Sequence, residues 1–207
     1  MPTKAAVGLA KPPRKGSGAM QQDLATQYPL VLVPGMLGFV RAGFYPYWFG
    51  IVPALRKGGA QVFPVQVSPL HSSEVRGEQL LTIIEDICRR TGAARVNLIG
   101  HSQGALSARY AAARRPARVA SVTSVAGPNH GSELADHLQR TAPGDSPQGR
   151  MLRAVLHALA VVLGWLETGW RRDPLPVDVH ASHQSLTSAG VALFNQAYPQ
   201  GLPATWG

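Results

Sequence analysis

The sequence predicts a mixed α/β fold, a parallel sheet whose strands are joined by crossover helices. Three observations carry that expectation. Strand-like and helix-like stretches alternate from about residue 28 to residue 127. The run Pro29-Leu30-Val31-Leu32-Val33 is continuously apolar, as in a strand buried on both faces of a parallel sheet. A Gly-x-Ser-x-Gly pentapeptide, Gly100 to Gly104, stands between a strand-like run and a helix-like one.

The elements follow in order. Residues 1 to about 27 are polar, basic and aperiodic, and read as a flexible tail ahead of a domain spanning 28–207. The first strand ends at Pro34-Gly35, and a helix is expected around Trp48 to Arg56, stopping at Gly58-Gly59. Gln61 to Val67 reads as a second strand, weakened by Pro64. Ser73 is expected to cap the next helix, with Glu74 in its first turn and Gly92 past its end. Leu80, Leu81, Ile84, Ile87 and Cys88 recur at helical spacing between them. Arg95 to Ile99 is a short apolar strand, followed by the pentapeptide and an Ala-rich helix ending near Arg115-Pro116. Val119 to Val125 is the fourth strand.

Beyond residue 127 the alternation stops, with a loop, a Gly/Pro/Ser stretch, an apolar helix from about Met151 to Leu166 and a last helix around Leu186 to Tyr198. Arg153 and His157 interrupt the apolar run Leu152, Val155, Leu156, Leu159, Val162, Leu163 and Leu166, which is also too short for a membrane span. A buried core helix and a mobile cover over an apolar site both fit it.

Composition narrows the function classes. Hydrophobic residues make up 45% and charged residues 15% of the 207, as in a globular chain. The net charge of +9 is scattered, in Lys4, Lys11, Arg14 and Lys15 and in the pairs Arg89/Arg90, Arg114/Arg115 and Arg171/Arg172. No aromatic residues interleave with these pairs, and the first two fall where helices end, so the charge reads as a solvated surface rather than a nucleic-acid footprint. Cys88, the single cysteine, excludes an intrachain disulfide and reads as a small core residue. The first twenty residues lack the apolar core of a signal peptide, so the chain as it stands is expected in the cytoplasm.

Gly100-His101-Ser102-Gln103-Gly104 carries the chemistry. A serine on a sharp strand-to-helix turn needs small neighbours two positions away, and the turn lifts its Oγ over a helix N-terminus, where an oxyanion is favoured. Acyl transfer needs two backbone N–H groups aimed at that oxyanion. Gln103 offers one; Met36, in Val33-Pro34-Gly35-Met36-Leu37-Gly38-Phe39 after the first strand, is the natural candidate for the other, against a plain glycine turn.

The stretches YPLVLVPGMLGF, YWFGIVPALRKGGAQVFPVQVS, SSEVRGEQLL, VNLIGHSQG, SVTSVAGPNHGSELAD and SLTSAGVALFNQAYPQGLP resemble the Pseudomonas/Burkholderia type of bacterial triacylglycerol lipase, from Tyr28 to Pro203. The resemblance implies an α/β-hydrolase fold, an acyl-enzyme on Ser102, an oxyanion hole from Met36 and Gln103, long-chain ester substrates and a helical lid at about 137–175. Leu37 and His130 become candidate substrate-lining residues. It implies secretion, against the missing leader, and a lipase-specific foldase as a partner for some members. Pro34 stands where the family has histidine, which removes an N–H from the loop.

The family's catalytic Asp and His, its calcium ligands and its paired cysteines all fall past the last residue, so the chain reads as an N-terminal portion that takes no cofactor. Downstream of Ser102 it offers His130, His137, His157, His180 and His183, with Asp136, Asp145, Asp173 and Asp178. None follows a recognisable strand in the expected way; His180 or His183 with Asp173 or Asp178 is the substitute pairing to examine. His101 is expected to point away from the substrate. A sheet that stops at its fourth strand is expected to leave an open, apolar edge and a marginally stable chain. Three readings follow: a lipase-like carboxylester hydrolase, a non-catalytic remnant binding lipid or a partner protein in an apolar groove, and a divergent small esterase with another base.

Overall fold

The computed structural model describes residues 24–39, 41–42, 45–143, 146–168 and 175–199. Most of the expected tail, and Asp145, Asp173, Arg171 and Arg172, lie outside them. Strands β1 (Leu30–Val33), β4 (Val62–Pro64), β5 (Val96–His101) and β6 (Val119–Val125) form one parallel sheet in the order β4-β1-β5-β6. A short antiparallel pair, β2 (Arg41–Ala42) and β3 (Tyr45–Pro46), follows β1. Helices α1 (Ile51–Lys57), α2 (Ser73–Thr91) and α3 (Gln103–Arg114) are the crossovers; α4 (Glu133–Thr141), α5 (Pro147–Thr168), α6 (Val179–Gln184) and α7 (Ser188–Ala197) follow the last strand.

The two-residue period of β1 explains why its run is continuously apolar. Val31 and Val33 face a core with Leu80, Ile84, Ile87 and Cys88 of α2 and Ala108 and Ala111 of α3. Leu30 and Leu32 face the other side, with Trp48, Ala60 and Val62. Each such buried aliphatic side chain contributes about 1.5–3 kcal/mol relative to exposure. Pro64 is tolerated because β4 is an edge strand and pairs on one side only, opposite Leu32. At Gly77, α2 lies so close to α3 that a side chain would strike the Tyr110 ring. A third core joins Leu106 and Tyr110 of α3 to Ala135, Leu186, Val191 and Phe194.

Several expectations need correction. The cap of α2 is Ser72: it is extended at φ −61° and ψ 155°, and its Oγ accepts from the Val75 N–H at 3.3 Å, while Ser73 enters the helix and is buried. α1 starts at Ile51 rather than Trp48, whose ring is buried under the sheet. α5 begins at Pro147, where a proline's missing N–H and fixed φ suit the first turn. α4 and α6 occupy stretches expected to be loop; Ser132 and Asp178 cap them through Ala135 N–H and Ala181 N–H. Gly92 ends α2 as expected, in the left-handed region at φ 71°.

The expected open edge is β6, along which Ala120, Ser121, Thr123 and Val125 are exposed, so apolar and hydroxylic side chains share it. Ser121 Oγ lies 2.8 Å from Asn97 Oδ1 on the neighbouring strand. α5 is no core helix along its described side chains: Met151 is 72% and Val155 54% exposed, whereas Ala160 is buried. No described helix is long and apolar enough to cross a membrane.

Candidate active site

β5 delivers Ser102 to the carboxyl edge of the sheet, and α3 begins one residue later. Ser102 itself is held at φ 54° and ψ −128°, a conformation that costs a side-chain-bearing residue about 1–3 kcal/mol. The surroundings enforce it. Its N–H donates to Val125 carbonyl at the end of β6 (2.9 Å), and its own carbonyl accepts from Ala105 N–H (3.0 Å). The flanking glycines permit the turn: a Cβ on Gly100 would stand 2.5 Å from Ala105 Cα, and one on Gly104 would stand 2.5 Å from Pro34 carbonyl oxygen.

The loop after β1 closes over this elbow. A Cβ on Gly35 would stand 2.8 Å from Ser102 Cβ, so only glycine lets the backbone run so near this serine. A tight turn follows, with Gly38 N–H donating to Gly35 carbonyl (3.1 Å) and Leu37 held at φ 55°. Leu37 N–H donates to Pro69 carbonyl at 2.7 Å, and Leu37 is half-buried beside the site. Among the described residues neither the Met36 nor the Gln103 N–H donates to a protein acceptor. Two donors are thus unengaged, one on the loop that Gly35 packs against Ser102 and one at the N-terminus of α3, where the helix dipole adds positive potential.

Side chains around the elbow are committed to holding it. Gln103 is fully buried; its Nε2 donates to His71 carbonyl (2.8 Å) and Ser185 Oγ (3.0 Å), tying the elbow to the end of α6. Among the described residues His101 makes no hydrogen bond to Ser102. Its Nδ1 shares a 2.6 Å hydrogen bond with Tyr47 hydroxyl, whose oxygen also accepts Gly35 N–H at 3.1 Å. Arg76 is fully buried and donates to the carbonyls of Pro34, Gly35, Ser68 and Pro69. Burial pushes its pKa down to about 10.

His130 lies on the loop after β6, exposed and without a hydrogen bond among the described residues. That loop is fixed by buried Arg109, which donates to Asn129 Oδ1 (3.3 Å) and Asn195 Oδ1 (2.8 Å) and stacks its cation over Phe194. His183 Nε2 is 2.8 Å from Ala135 carbonyl, and Asp178 is spent on capping α6. His137, His157 and His180 are exposed. Among the described residues no histidine hydrogen-bonds Ser102 and no histidine pairs with a carboxylate, so the substitute pairing does not form there. Among the described residues, no three of the His, Cys, Asp and Glu side chains cluster so as to hold a metal ion.

A cavity of about 320 Å³ lies between α4, α5 and α6. Leu138, Leu152, Leu156 and Val179 give it apolar walls, His180 and His183 stand at its margin, and Met36 forms the side toward the loop. Met36 thus lines the cavity and directly follows Gly35, which packs against Ser102.

Tyr47, Arg76 and Ser185 were not anticipated from sequence. Arg76 did leave a signal: it falls in phase with Leu80, Ile84 and Ile87 on the stripe that α2 buries. A charge in that stripe marks a buried role.

A family model described as alpha/beta hydrolase fold matches residues 28–164. A triacylglycerol lipase of Pseudomonas fragi is 47% identical over 189 residues, 91% of this chain and 63% of that protein. Triacylglycerol lipases of Vibrio cholerae and Burkholderia plantarii are 42% and 38% identical, covering 87% and 96% of this chain and 57% and 56% of their own. The chain thus spans about three-fifths of the length of these curated relatives. Among solved structures, the mature form of a Bacillus licheniformis lipase superposes with a TM-score of 0.57 at 21% identity, over 83% of this chain and 59% of that one. A metagenomic carboxyl esterase gives 0.56 at 21% identity, over 86% and 49%. At that identity the likeness speaks to fold alone.

Proposed function

Given a chain that belongs to the α/β-hydrolase fold family, we propose that it carries the nucleophile and oxyanion site of a carboxylester hydrolase of the triacylglycerol lipase kind. The observation that carries this reading is the approach of Gly35 to Ser102, which brings the loop bearing the unengaged Met36 N–H against a serine held at φ 54° just before the unengaged Gln103 N–H. Ser102 Oγ adds to the ester carbonyl carbon and gives up its proton to a base. The carbonyl oxygen becomes an oxyanion between the two N–H groups. Collapse expels the alcohol, which takes a proton, and leaves an acyl-serine; water then releases the acid by the same route in reverse. Losing one such donor costs about 10²–10³ in rate in serine hydrolases.

The cavity walled by Leu138, Leu152, Leu156 and Met36 supports an apolar acyl chain as the substrate's recognised part. The relatives are triacylglycerol lipases, which supports long-chain esters of glycerol. No described histidine reaches Ser102, so the base is assigned to no residue.

That same observation favours a second reading, in which the cavity binds fatty acyl chains without turnover. The two separate on one comparison. Turnover of p-nitrophenyl esters lost in Ser102→Ala supports hydrolysis; fatty-acid binding equal in both proteins, with no turnover in either, supports binding alone.

A further inference from the structure

We infer that the edge of the sheet opposite Ser102 is a docking surface for a bilayer rich in anionic phospholipid. Positive charges that are scattered along the sequence are gathered there by topology. In a parallel sheet every strand starts at the same edge, so each crossover helix returns the chain to that edge before the next strand begins. Arg56 and Lys57 close α1 ahead of β4. Arg89 and Arg90 stand in the last turn of α2, and Arg95 directly precedes β5. Arg114 closes α3, and the turn into β6 carries Arg115 and Arg118. With neighbouring strands about 4.8 Å apart, the order β4-β1-β5-β6 spreads these turns over a row roughly 15 Å wide. The length of β5 keeps that row about 20 Å from Ser102.

The turns touch one another. Arg118 donates to Ala94 carbonyl at 3.4 Å, in the turn ahead of β5, and pairs with Glu85 of α2 at 3.0 Å. Carboxylates that answer the row are few. Among the described residues Asp86 is shared by Arg89 and Arg90, Glu78 lies 3.8 Å from Arg114, and Glu85 serves Arg118. These pairs are exposed to solvent, with the Arg89 side chain 79% exposed, so they hold the arginines weakly. Lys57, Arg95 and Arg115 are exposed and make no ion pair among the described residues. Glu74, Glu133 and Asp136 lie in the first turns of helices that start at the far edge.

The chemistry of the row selects the partner. All its cations but Lys57 are arginines, whose planar fork meets a phosphate with two parallel N–H groups. Residues 58–61, 92–95 and 115–118 include no aromatic side chain on which a nucleobase could stack. The charges follow the sheet edge from turn to turn, which suits the phosphate plane of a bilayer rather than a single anion. A chain docked this way turns Ser102 away from the bilayer. Nothing in this depends on acyl transfer at Ser102.

The test is cosedimentation of the whole chain with phosphatidylcholine vesicles, with and without phosphatidylglycerol, at low and at high salt. Phosphatidylglycerol should raise partition more than about a hundredfold at low salt, and high salt should erase the gain. Lys57→Gln, Arg95→Gln and Arg115→Gln remove exposed charges and should each leave Tm within about 2 °C. Each should also cost about fivefold of the gain. Arg140→Gln, exposed on α4 at the far edge, changes the net charge equally and should leave the gain within about twofold. No gain with phosphatidylglycerol overturns the inference. So does an equal loss in Arg140→Gln and Arg115→Gln, which would assign the effect to net charge alone. Tighter binding to duplex DNA or to poly-L-glutamate than to the anionic vesicles, at equal salt, also overturns it.

Discussion

Gly35 and Ser102 approach so closely that a methyl group on Gly35 would stand 2.8 Å from Ser102 Cβ. The loop that carries Met36 and the elbow that carries Ser102 are therefore one packed unit. Gly35→Ala should leave the sheet folded, with a loss of about 1–3 kcal/mol from overpacking. It should also lower the reactivity of Ser102 by more than tenfold, since the second oxyanion donor is pushed away. Urea denaturation beside ester turnover checks both halves; a stable protein of full activity would mean the loop does not serve the serine.

Gln103 gives the opposite pattern. Its backbone N–H serves the oxyanion in this account, whereas its side chain holds His71 carbonyl and Ser185. Gln103→Ala should cost about 1–3 kcal/mol through the buried groups left unpaired. The rate of Ser102 phosphonylation should stay within about fivefold, because the N–H remains. Loss of labelling in a protein that still melts cooperatively would assign the side chain a direct part in the chemistry.

These two residues mark how much of the site could be read from sequence. β1 was visible because a parallel strand buried on both faces is nearly all apolar, and the elbow because its glycines are a steric necessity. α4 was not visible because it is short: of its nine residues only Leu134, Ala135 and Leu138 are apolar, and only Ala135 is buried. Ser72 and Ser73 are adjacent and chemically alike, and only the extended backbone at Ser72 distinguishes the cap. Arg76 was passed over because an arginine is expected at a surface, and its partners are carbonyls that no side-chain motif records.

Acid should loosen the joint between α4 and α7. Asp136 accepts from Ser188 N–H at 2.9 Å and Ser188 Oγ at 2.6 Å, and these bonds hold its pKa below the ordinary carboxylate value. A depressed folded-state pKa means stability that is present above the unfolded value and lost as pH falls through the folded one. The Tm of the parent should drop between about pH 4 and lower values more steeply than that of Asp136→Asn. Parallel acid limbs in the two proteins would show that the Asp136 contacts carry no linkage.

The outer face of α5 should govern contact with lipid. Met151, Val155, Leu159 and Val162 recur at helical spacing and are 72%, 54%, 42% and 51% exposed. A contiguous apolar stripe of this kind favours an apolar partner surface. Replacing Met151, Val155 and Leu159 together by Gln should change Tm by less than about 3 °C, as surface substitutions do, and reduce partition onto phosphatidylcholine vesicles several-fold. Undiminished partition would place the lipid-contacting surface elsewhere.

The most direct test of the central claim is the intact mass of the folded chain after exposure to a fluorophosphonate, beside Ser102→Ala. The reagent captures a serine whose Oγ is nucleophilic and whose oxyanion is held. The account predicts one adduct per chain in the parent and none in Ser102→Ala. A folded parent without adduct, or an adduct that survives the substitution, would contradict the assignment of Ser102 as nucleophile.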